Sequence, residues 1–323
     1  MTYYDVFNGD ADGLCALHQL RLVEPRDAVL VTGVKRDIAL LERVPAQAGD
    51  AVTVLDVSLD KNREPLVQLL ESGVRIDYYD HHFPGEIPSH PALVARIETA
   101  SDQCTSLLVD ADLAGRCRTW ALVGAFGDGL DAVARRLATS LNLGEAALAR
   151  LRELGTYLNY NGYGETIEDL FFAPDLLYRR MQGFVDPLDF VAEDEAFAVL
   201  RGGFADDMAR ARELVPEHLS DNHGIYRLPA EPWARRISGV LANDLTQAAP
   251  ERAHALLTER PDGGFVVSVR APLARRVGAD ALCRQFSTGG GRQGAAGINR
   301  LSETDYDDFV ARFLESFTEG GSG

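Results

Sequence analysis

Cysteine is sparse in this chain: there are four in 323 residues, Cys15, Cys104, Cys117 and Cys283, with no Cys-x-x-Cys pair among them. That excludes a dense disulfide framework and leaves reduced thiols that serve packing, as in a reducing compartment. Long apolar runs are missing too. None approaches the roughly 18 residues needed to span a bilayer, and no charged segment followed by an apolar one opens the chain; the expectation is a cytoplasmic protein with no membrane partner. Positive charge is the third scarcity, with 32 Lys and Arg against 49 Asp and Glu and a net charge of -17. Such a surface repels long polyanions, which excludes an extended grip on long duplex nucleic acid. A small anionic substrate survives the exclusion if metal ions and a few placed arginines offset the repulsion locally.

The length suits two domains with ordinary cores. The charge divides unevenly between them: residues 1–214 hold 20 basic and 35 acidic side chains, whereas residues 215–323 hold 12 and 14, and those 12 are all arginine. Arginine is the side chain best shaped for bidentate phosphate recognition. The asymmetry places metal chemistry in the first part and phosphate in the second.

What the first part does contain is a carboxylate-rich turn, Phe7-Asn8-Gly9-Asp10-Ala11-Asp12-Gly13, between an apolar strand (Tyr3 to Phe7) and the helical pattern Leu14, Leu17, Leu20. Strand alternation puts Asp10 and Asp12 on one side of an extended turn, where their carboxylates can converge on a hard cation. An EF-hand loop matches Asn8, Asp10, Asp12 and Gly13 but fails at its closing position, which is Gln19, and at the strand that precedes it. An Asx-rich helix cap without metal is the other reading of the same residues.

Further strands are expected at Ala28 to Val31, Ala51 to Leu55, Val74 to Tyr79 and, at an edge, Ala92 to Ile97, with helices through Leu40 and Leu41, over Asn62 to Glu71, and after a Ser101-Asp102 cap. In open parallel sheets ligands gather beyond the carboxyl ends of strands, where Asp10/Asp12, Asp56 and Asp80 all fall. Asp80-His81-His82 pairs two imidazoles that point different ways with a carboxylate able to fix a tautomer; an exposed polar turn is the plain alternative. Trp120 to Phe126 is apolar and ends at Gly127-Asp128-Gly129, which is either a turn or a further carboxylate of the same cluster. Residues 130–214 read as helices, Leu158 to Gly164 as a helix C-cap, and the helix ending near Leu214 as an interdomain connector.

The last part is mixed α and β, with strands at Ala255 to Leu257 and Phe265 to Arg270 and a helix from Val277 to Phe286. It is followed by Ser287-Thr288-Gly289-Gly290-Gly291-Arg292-Gln293-Gly294-Ala295-Ala296-Gly297. Consecutive glycines can turn backbone N–H groups toward an anion, and Arg292 adds a fork for phosphate; a flexible connector is the alternative. Gly320 to Gly323 reads as a flexible tail.

Taken in this order, Asp10-x-Asp12-Gly13, Asp56, Asp80-His81-His82, Gly127-Asp128-Gly129 and Gly289-Gly290-Gly291-Arg292-x-x-Ala295-Ala296-Gly297 resemble the DHH/DHHA1 phosphoesterases over nearly the whole chain. The small two-domain form is similar to the branch holding nanoRNases, phosphoadenosine phosphatases and dinucleotide phosphodiesterases, with RecJ-type exonucleases as larger relatives. The resemblance implies an α/β fold: a mostly parallel sheet with flanking helices in a metal-binding domain over residues 1–195, a helical connector over 196–220, and a smaller α/β substrate-binding domain over 221–318. It implies two Mn²⁺ or Mg²⁺ ions, one held by Asp10 and Asp56 and the other by Asp12, Asp56, His81 and Asp128. His82 would face the phosphate, supported by Asp80, and Gly289, Gly290, Gly291, Arg292 and Arg270 would bind substrate. Many members have a histidine shortly before the first carboxylate as a ligand of the first metal, where only Asn8 could contribute here. Their glycine run commonly ends in histidine where this chain has Arg292. The implied activity is hydrolysis of short oligoribonucleotides, linear or cyclic dinucleotides or 3′-phosphoadenosine 5′-phosphate, by a monomer or homodimer. A pyrophosphatase and a non-catalytic nucleotide-binding protein are the alternatives.

Overall fold

The computed structural model describes residues 1–318, so the Gly320 to Gly323 tail lies outside it. Two compact units divide the chain, Met1–Gly203 and Phe204–Gly323. The division falls inside the helix Glu195–Arg212, within the stretch expected as a connector.

The first unit runs β1 (Tyr3–Asn8), α1 (Ala11–Val23), β2 (Ala28–Gly33), β3 (Ala51–Leu55), α2 (Arg63–Glu71), β4 (Arg75–Asp80), β5 (Leu93–Ile97), α3 (Thr105–Asp112), α4 (Arg118–Gly127), α5 (Asp131–Ala138), α6 (Glu145–Gly162), α7 (Pro174–Met181), α8 (Pro187–Glu193) and α9 (Glu195–Arg212). Its five strands pair in parallel in the order β2-β1-β3-β4-β5. Strands buried on both faces are apolar without strict alternation, as β3 (Ala-Val-Thr-Val-Leu) illustrates. On one face Val6, Val54, Ile76 and Tyr78 pack with Leu66, Leu69 and Leu70 of α2. Strand order reverses direction between β1 and β3, and the crevice beyond the carboxyl ends at such a reversal is where doubly wound sheets bind ligands.

α1 is buried from Ala11 to Arg21, because α3, α4 and α6 all pack on it. Two close approaches allow this. A Cβ on Gly13 would lie 2.2 Å from the Asn8 carbonyl oxygen, and one on Gly127 would lie 2.3 Å from Ala11 Cβ. The helix is tied to the sheet by a buried charge: Arg21 Nε and Nη2 donate to the two Asp5 oxygens at 2.8 and 2.5 Å, and Nη2 also donates to Thr53 Oγ1 at 3.0 Å.

Several local expectations change. The stretch at Leu40 and Leu41 is a short 3₁₀ turn, Leu40–Arg43, so β2 and β3 are not joined by an α-helix. Ser101 and Asp102 do not cap α3; its N-cap is Cys104, which makes no side-chain cap, because the first amides of α3 are taken by the Asp12 carboxylate across the fold. Asp10 and Asp12 do not flank an extended turn. The helix begins at Ala11, Asp10 is its N-cap, and Asp12 lies in its first turn.

The second unit contains β6 (His218–Leu219), β7 (His223–Leu228), α10 (Pro232–Ala248), β8 (Ala253–Glu259), β9 (Phe265–Arg270), α11 (Ala279–Cys283), β10 (Gly289–Arg292), β11 (Ala295–Leu301) and α12 (Tyr306–Ser316). The sheet order is β10-β11-β9-β8-β7-β6, with β7 and β8 parallel and the other pairs antiparallel. Leu257, Val267, Val269 and Ile298 form its core with Phe309 and Phe313 of α12. The glycine run is not a loop: Gly289 to Arg292 is an edge strand paired with β11. Small residues are needed there because a Cβ on Gly289 would lie 1.7 Å from the Cys283 carbonyl oxygen. α11 is also shorter than the Val277 to Phe286 helix expected. Among the described residues no helix is long and apolar enough to cross a membrane.

The Arg21–Asp5 pair makes the fold testable. Arg21→Ala leaves a buried carboxylate without its counter-charge and should cost roughly 3–5 kcal/mol. Urea denaturation should place Arg21→Met/Asp5→Leu closer to wild type than Arg21→Ala, and equal midpoints for Arg21→Ala and wild type would show that the pair carries no such constraint.

Candidate metal centre

Side chains that follow β1, β3 and β4 meet beyond the carboxyl ends of those strands. Asp10 caps α1, its Oδ1 accepting the N–H groups of Asp12 and Gly13 at 3.0 and 3.2 Å. Its Oδ2 accepts from Lys35 Nζ at 2.5 Å. Burial works against the charge on Asp10, but the Lys35 ammonium and the Gly13 amide outweigh it and hold the carboxyl below its ordinary range. Asp12 is held at the N-terminus of α3, where Oδ2 accepts from the Thr105 amide at 2.7 Å and Oδ1 from the Ser106 amide and hydroxyl at 2.8 and 2.5 Å. Helix N-terminal amides suit a carboxylate both as donors and through the helix dipole.

Asp56 follows β3 directly with φ of 58°, a left-handed conformation that Asp tolerates better than most residues. Its own amide donates to the Tyr79 carbonyl at 3.0 Å, which fixes the turn, and its Oδ1 accepts from Thr105 Oγ1 at 3.2 Å. His81 Nε2 lies 3.4 Å from Asp56 Oδ1 and 4.0 Å from Asp12 Oδ2. The other ring nitrogen, Nδ1, donates to the Gln103 carbonyl at 3.1 Å, which sets the tautomer that leaves Nε2 toward the carboxylates. Asp80, fully buried at the end of β4, accepts on Oδ1 from the His81 amide at 2.8 Å and from His82 Nδ1 at 2.7 Å. The His82 side chain is 46 % exposed. Asp128 caps the C-terminus of α4, and its charge acts on Lys35, Asp12 and His81.

Asp10, Asp12, Asp56, His81, His82 and Asp80 are thus brought together, with Asp128 in electrostatic reach. Asp56, His81 and His82 offer donor atoms within 4.8 Å of one another. Asn8 is buried, and its amide is spent on backbone: Oδ1 accepts from the Asp10 N–H at 3.2 Å and Nδ2 donates to the Lys35 carbonyl at 3.3 Å. Arg270 and Arg292 belong to the second unit. They sit in one cross-strand row, Arg292 opposite Ala295 and Ala295 opposite Arg270, on one face of that sheet.

Sequence reasoning passed over Lys35, Asn159, Thr105 and Ser106. Lys35 is one of two lysines in the chain, and that rarity was the available signal. Its ammonium also donates to Asn159 Oδ1 at 2.9 Å, in the segment read as a plain helix C-cap. Burial opposes its charge, but Asp10, Tyr163 and Asp128 raise its pKa well above the ordinary lysine value.

The donor set fits a divalent cation. Carboxylate oxygens with an imidazole nitrogen suit Mn²⁺, and Mg²⁺ accepts the carboxylates. The protonation state points the same way. Burial, then the charges of Asp10 and Asp12, raise the Asp56 pKa well above its ordinary value, with His81 acting in the opposite sense. For His81, burial works against the charged ring, but Asp56, Asp12 and Asp128 push it up to about 10. The cluster keeps protons that a cation would displace.

No family model matches the sequence, and no curated protein matches it. Solved structures do. Exonuclease RecJ bound to manganese superposes with a TM-score of 0.64 at 20 % identity, covering 98 % of this chain and 91 % of that one. RecJ in complex with Mn²⁺ from Thermus thermophilus gives 0.63 at 19 %, covering 96 % of this chain, which spans only 51 % of that protein. An exopolyphosphatase-related protein from Bacteroides fragilis gives 0.51 at 15 %, covering 98 % and 91 %. The chain shares the fold of these RecJ structures, as the resemblance of its motif order implies.

Asp56 provides the test of the crowded cluster. Its folded-state pKa lies above the unfolded value near 3.9, so above about pH 4 its ionisation favours the unfolded chain. Asp56→Asn keeps a side chain that tolerates the left-handed backbone and removes the charge. In chelator at pH 7 it should raise Tm, and it should abolish the further Tm increase that Mn²⁺ gives wild type. A lower Tm in chelator would mean the carboxylates do not strain the fold.

Proposed function

We propose that the chain is a divalent-metal-dependent phosphoesterase that hydrolyses short phosphodiesters: oligoribonucleotides of a few residues, linear or cyclic dinucleotides, and 3′-phosphoadenosine 5′-phosphate. The observation that carries this reading is the convergence of Asp12, Asp56 and His81, with Asp10 and Asp128 close by, at the strand-order reversal of a RecJ-like fold. The neighbours described as manganese-bound are exonucleases, which supports Mn²⁺, with Mg²⁺ as the alternative.

Asp12, Asp56, His81 and Asp128 would hold the metal, with Asp10 beside them. A divalent ion there supplies a water that ionises near neutral pH and polarises the phosphoryl oxygen. The chain's own residues do the rest. Asp80 fixes the His82 ring through Nδ1, leaving its partly exposed edge to donate to a phosphate oxygen or to the leaving group. Thr105 and Ser106 hold Asp56 and Asp12 in place, so the carboxylates need not reorganise as the reaction proceeds. No residue need act as a covalent nucleophile. In the second unit, Arg270 and Arg292 share a face suited to a phosphorylated substrate. The net charge of -17 favours short substrates over long ones.

The purified protein should be assayed with Mn²⁺ against dinucleotides, short and long RNA, phosphoadenosine phosphate and pyrophosphate. Activity should require the metal and disappear in Asp56→Ala, and kcat/KM should be higher for substrates of two to five nucleotides than for a long single strand. Turnover in excess chelator would defeat the reading, and preference for the long strand would move it toward a processive exonuclease. Pyrophosphate as best substrate would favour the phosphohydrolase alternative, which the exopolyphosphatase-related neighbour keeps in view.

Arg292 is tested separately. Arg292→Ala should raise KM by roughly 10- to 100-fold, the loss of a charge-assisted hydrogen bond worth about 1.5–3 kcal/mol, with kcat little changed. Arg292→His should recover part of the loss, and more at pH 6 than at pH 8, because imidazole is charged only below a pKa near 6.5. Wild-type KM in Arg292→Ala would make the strand a packing element alone.

A further inference from the structure

We propose that the Lys35 ammonium occupies the place of one of the two cations the resemblance implies, so that the centre takes a single divalent ion at Asp12, Asp56, His81 and Asp128. The inference rests on the metal-dependent reading above and concerns how many ions that reading needs. Asp10 is the carboxylate that the first of two ions would require, and it differs from Asp12 in one respect: the Asp12 oxygens accept from neutral amide and hydroxyl groups, whereas Asp10 already faces a cation. Oδ1 accepts the amides of Asp12 and Gly13, and Oδ2 accepts from Lys35 Nζ at 2.5 Å.

Lys35 is held there rather than merely reaching in. Its N–H donates to the Gly162 carbonyl at 2.8 Å, and its own carbonyl accepts from Asn8 Nδ2 at 3.3 Å, so the backbone is fixed on both sides. Nζ donates to Asn159 Oδ1 at 2.9 Å and lies 5.4 Å from the centre of the Tyr163 ring. The site also lacks what a first ion would want. Asn8, the position from which an imidazole would be offered, spends both ends of its amide on backbone. A divalent ion bound at ~2.1 Å from Asp10 would sit within a few ångströms of a fixed positive charge.

An ammonium and a dication do different chemistry. Lys35 neutralises Asp10 and has three N–H groups; Asp10 and Asn159 take two, and a third would be offered to a phosphate oxygen of a bound ester. It does not generate hydroxide. Water activation therefore falls to the one ion at Asp12, Asp56, His81 and Asp128, and Lys35 acts as the fixed counter-charge beside it.

Metal content decides the matter. Protein stripped with chelator, reloaded with Mn²⁺ and desalted should carry one Mn²⁺ per chain by elemental analysis, with the six-line electron paramagnetic resonance spectrum of an isolated ion. Lys35→Ala should bind a second ion, more weakly, and show the broadened spectrum of two coupled Mn²⁺ ions, while Lys35→Arg should keep one. Two coupled ions in wild type would overturn the inference and leave the metal-dependent reading intact. One isolated ion in both wild type and Lys35→Ala would overturn it too, since Lys35 would not be what excludes the second. No bound Mn²⁺ in wild type would remove the metal-dependent reading itself. Wild-type stoichiometry stands whether or not the Lys35 variants fold.

Discussion

Buried negative charge is the constraint on which this structure turns. Asp10, Asp12 and Asp56 are nearly inaccessible to water, with Asp128 close enough to feel them, and in a medium of low effective dielectric such groups repel strongly. Each is met by a different offset. Asp10 has the amides of its own helix and Lys35, Asp12 the start of α3, Asp56 a hydroxyl and a histidine. Those partners fix where α3 must begin and why the connection after β2 must return to the last turn of α6. The rest of the first unit is arranged to keep these donors in register. The residual mismatch is a readiness to accept positive charge.

The parallel sheet supplies the frame for that arrangement. A strand order of β2-β1-β3-β4-β5 leaves a crevice between the carboxyl ends of β1 and β3, where Asp10 with Asp12 and Asp56 leave the sheet, and Asp80-His81-His82 follows from the next strand, β4. The apolar core beneath holds the strand ends still, and Arg21 with Asp5 and Thr53 locks α1 to two of the strands. Rigidity at the site is therefore inherited from the sheet and not from its loops.

The sequence makes the acidic frame readable because it is local: Asp10-x-Asp12-Gly13 and Asp80-His81-His82 each carry their spacing within a few residues, and strand patterns place them at strand ends. What it hides is long-range. Nothing near Lys35 announces that its amine meets Asp10 and Asn159, and nothing near Cys104 announces that α3 is capped from Asp12. The glycine run misleads for a related reason. Glycine signals permissive backbone, and the same permissiveness serves an anion-binding loop or an edge strand pressed against Cys283; only the partner strand decides. The stretches at Leu40 and at Val277 to Phe286 show apolar spacing running past the point where helical hydrogen bonds stop.

The reach of these contacts also sets an order of events during synthesis. Asp12 meets its α3 donors across 93 and 94 residues, and Lys35 meets Asn159 across 124. At roughly 5–20 residues per second of translation, the Asn159 side chain is made about 6 to 25 s after Lys35. Before that, until Thr105 and Ser106 are made, the nascent chain carries Asp12 without the α3 groups that donate to it. Assembly of the acidic cluster accordingly waits for the start of α3, after the last strand of the parallel sheet has been made, and the Lys35–Asn159 contact is added later still.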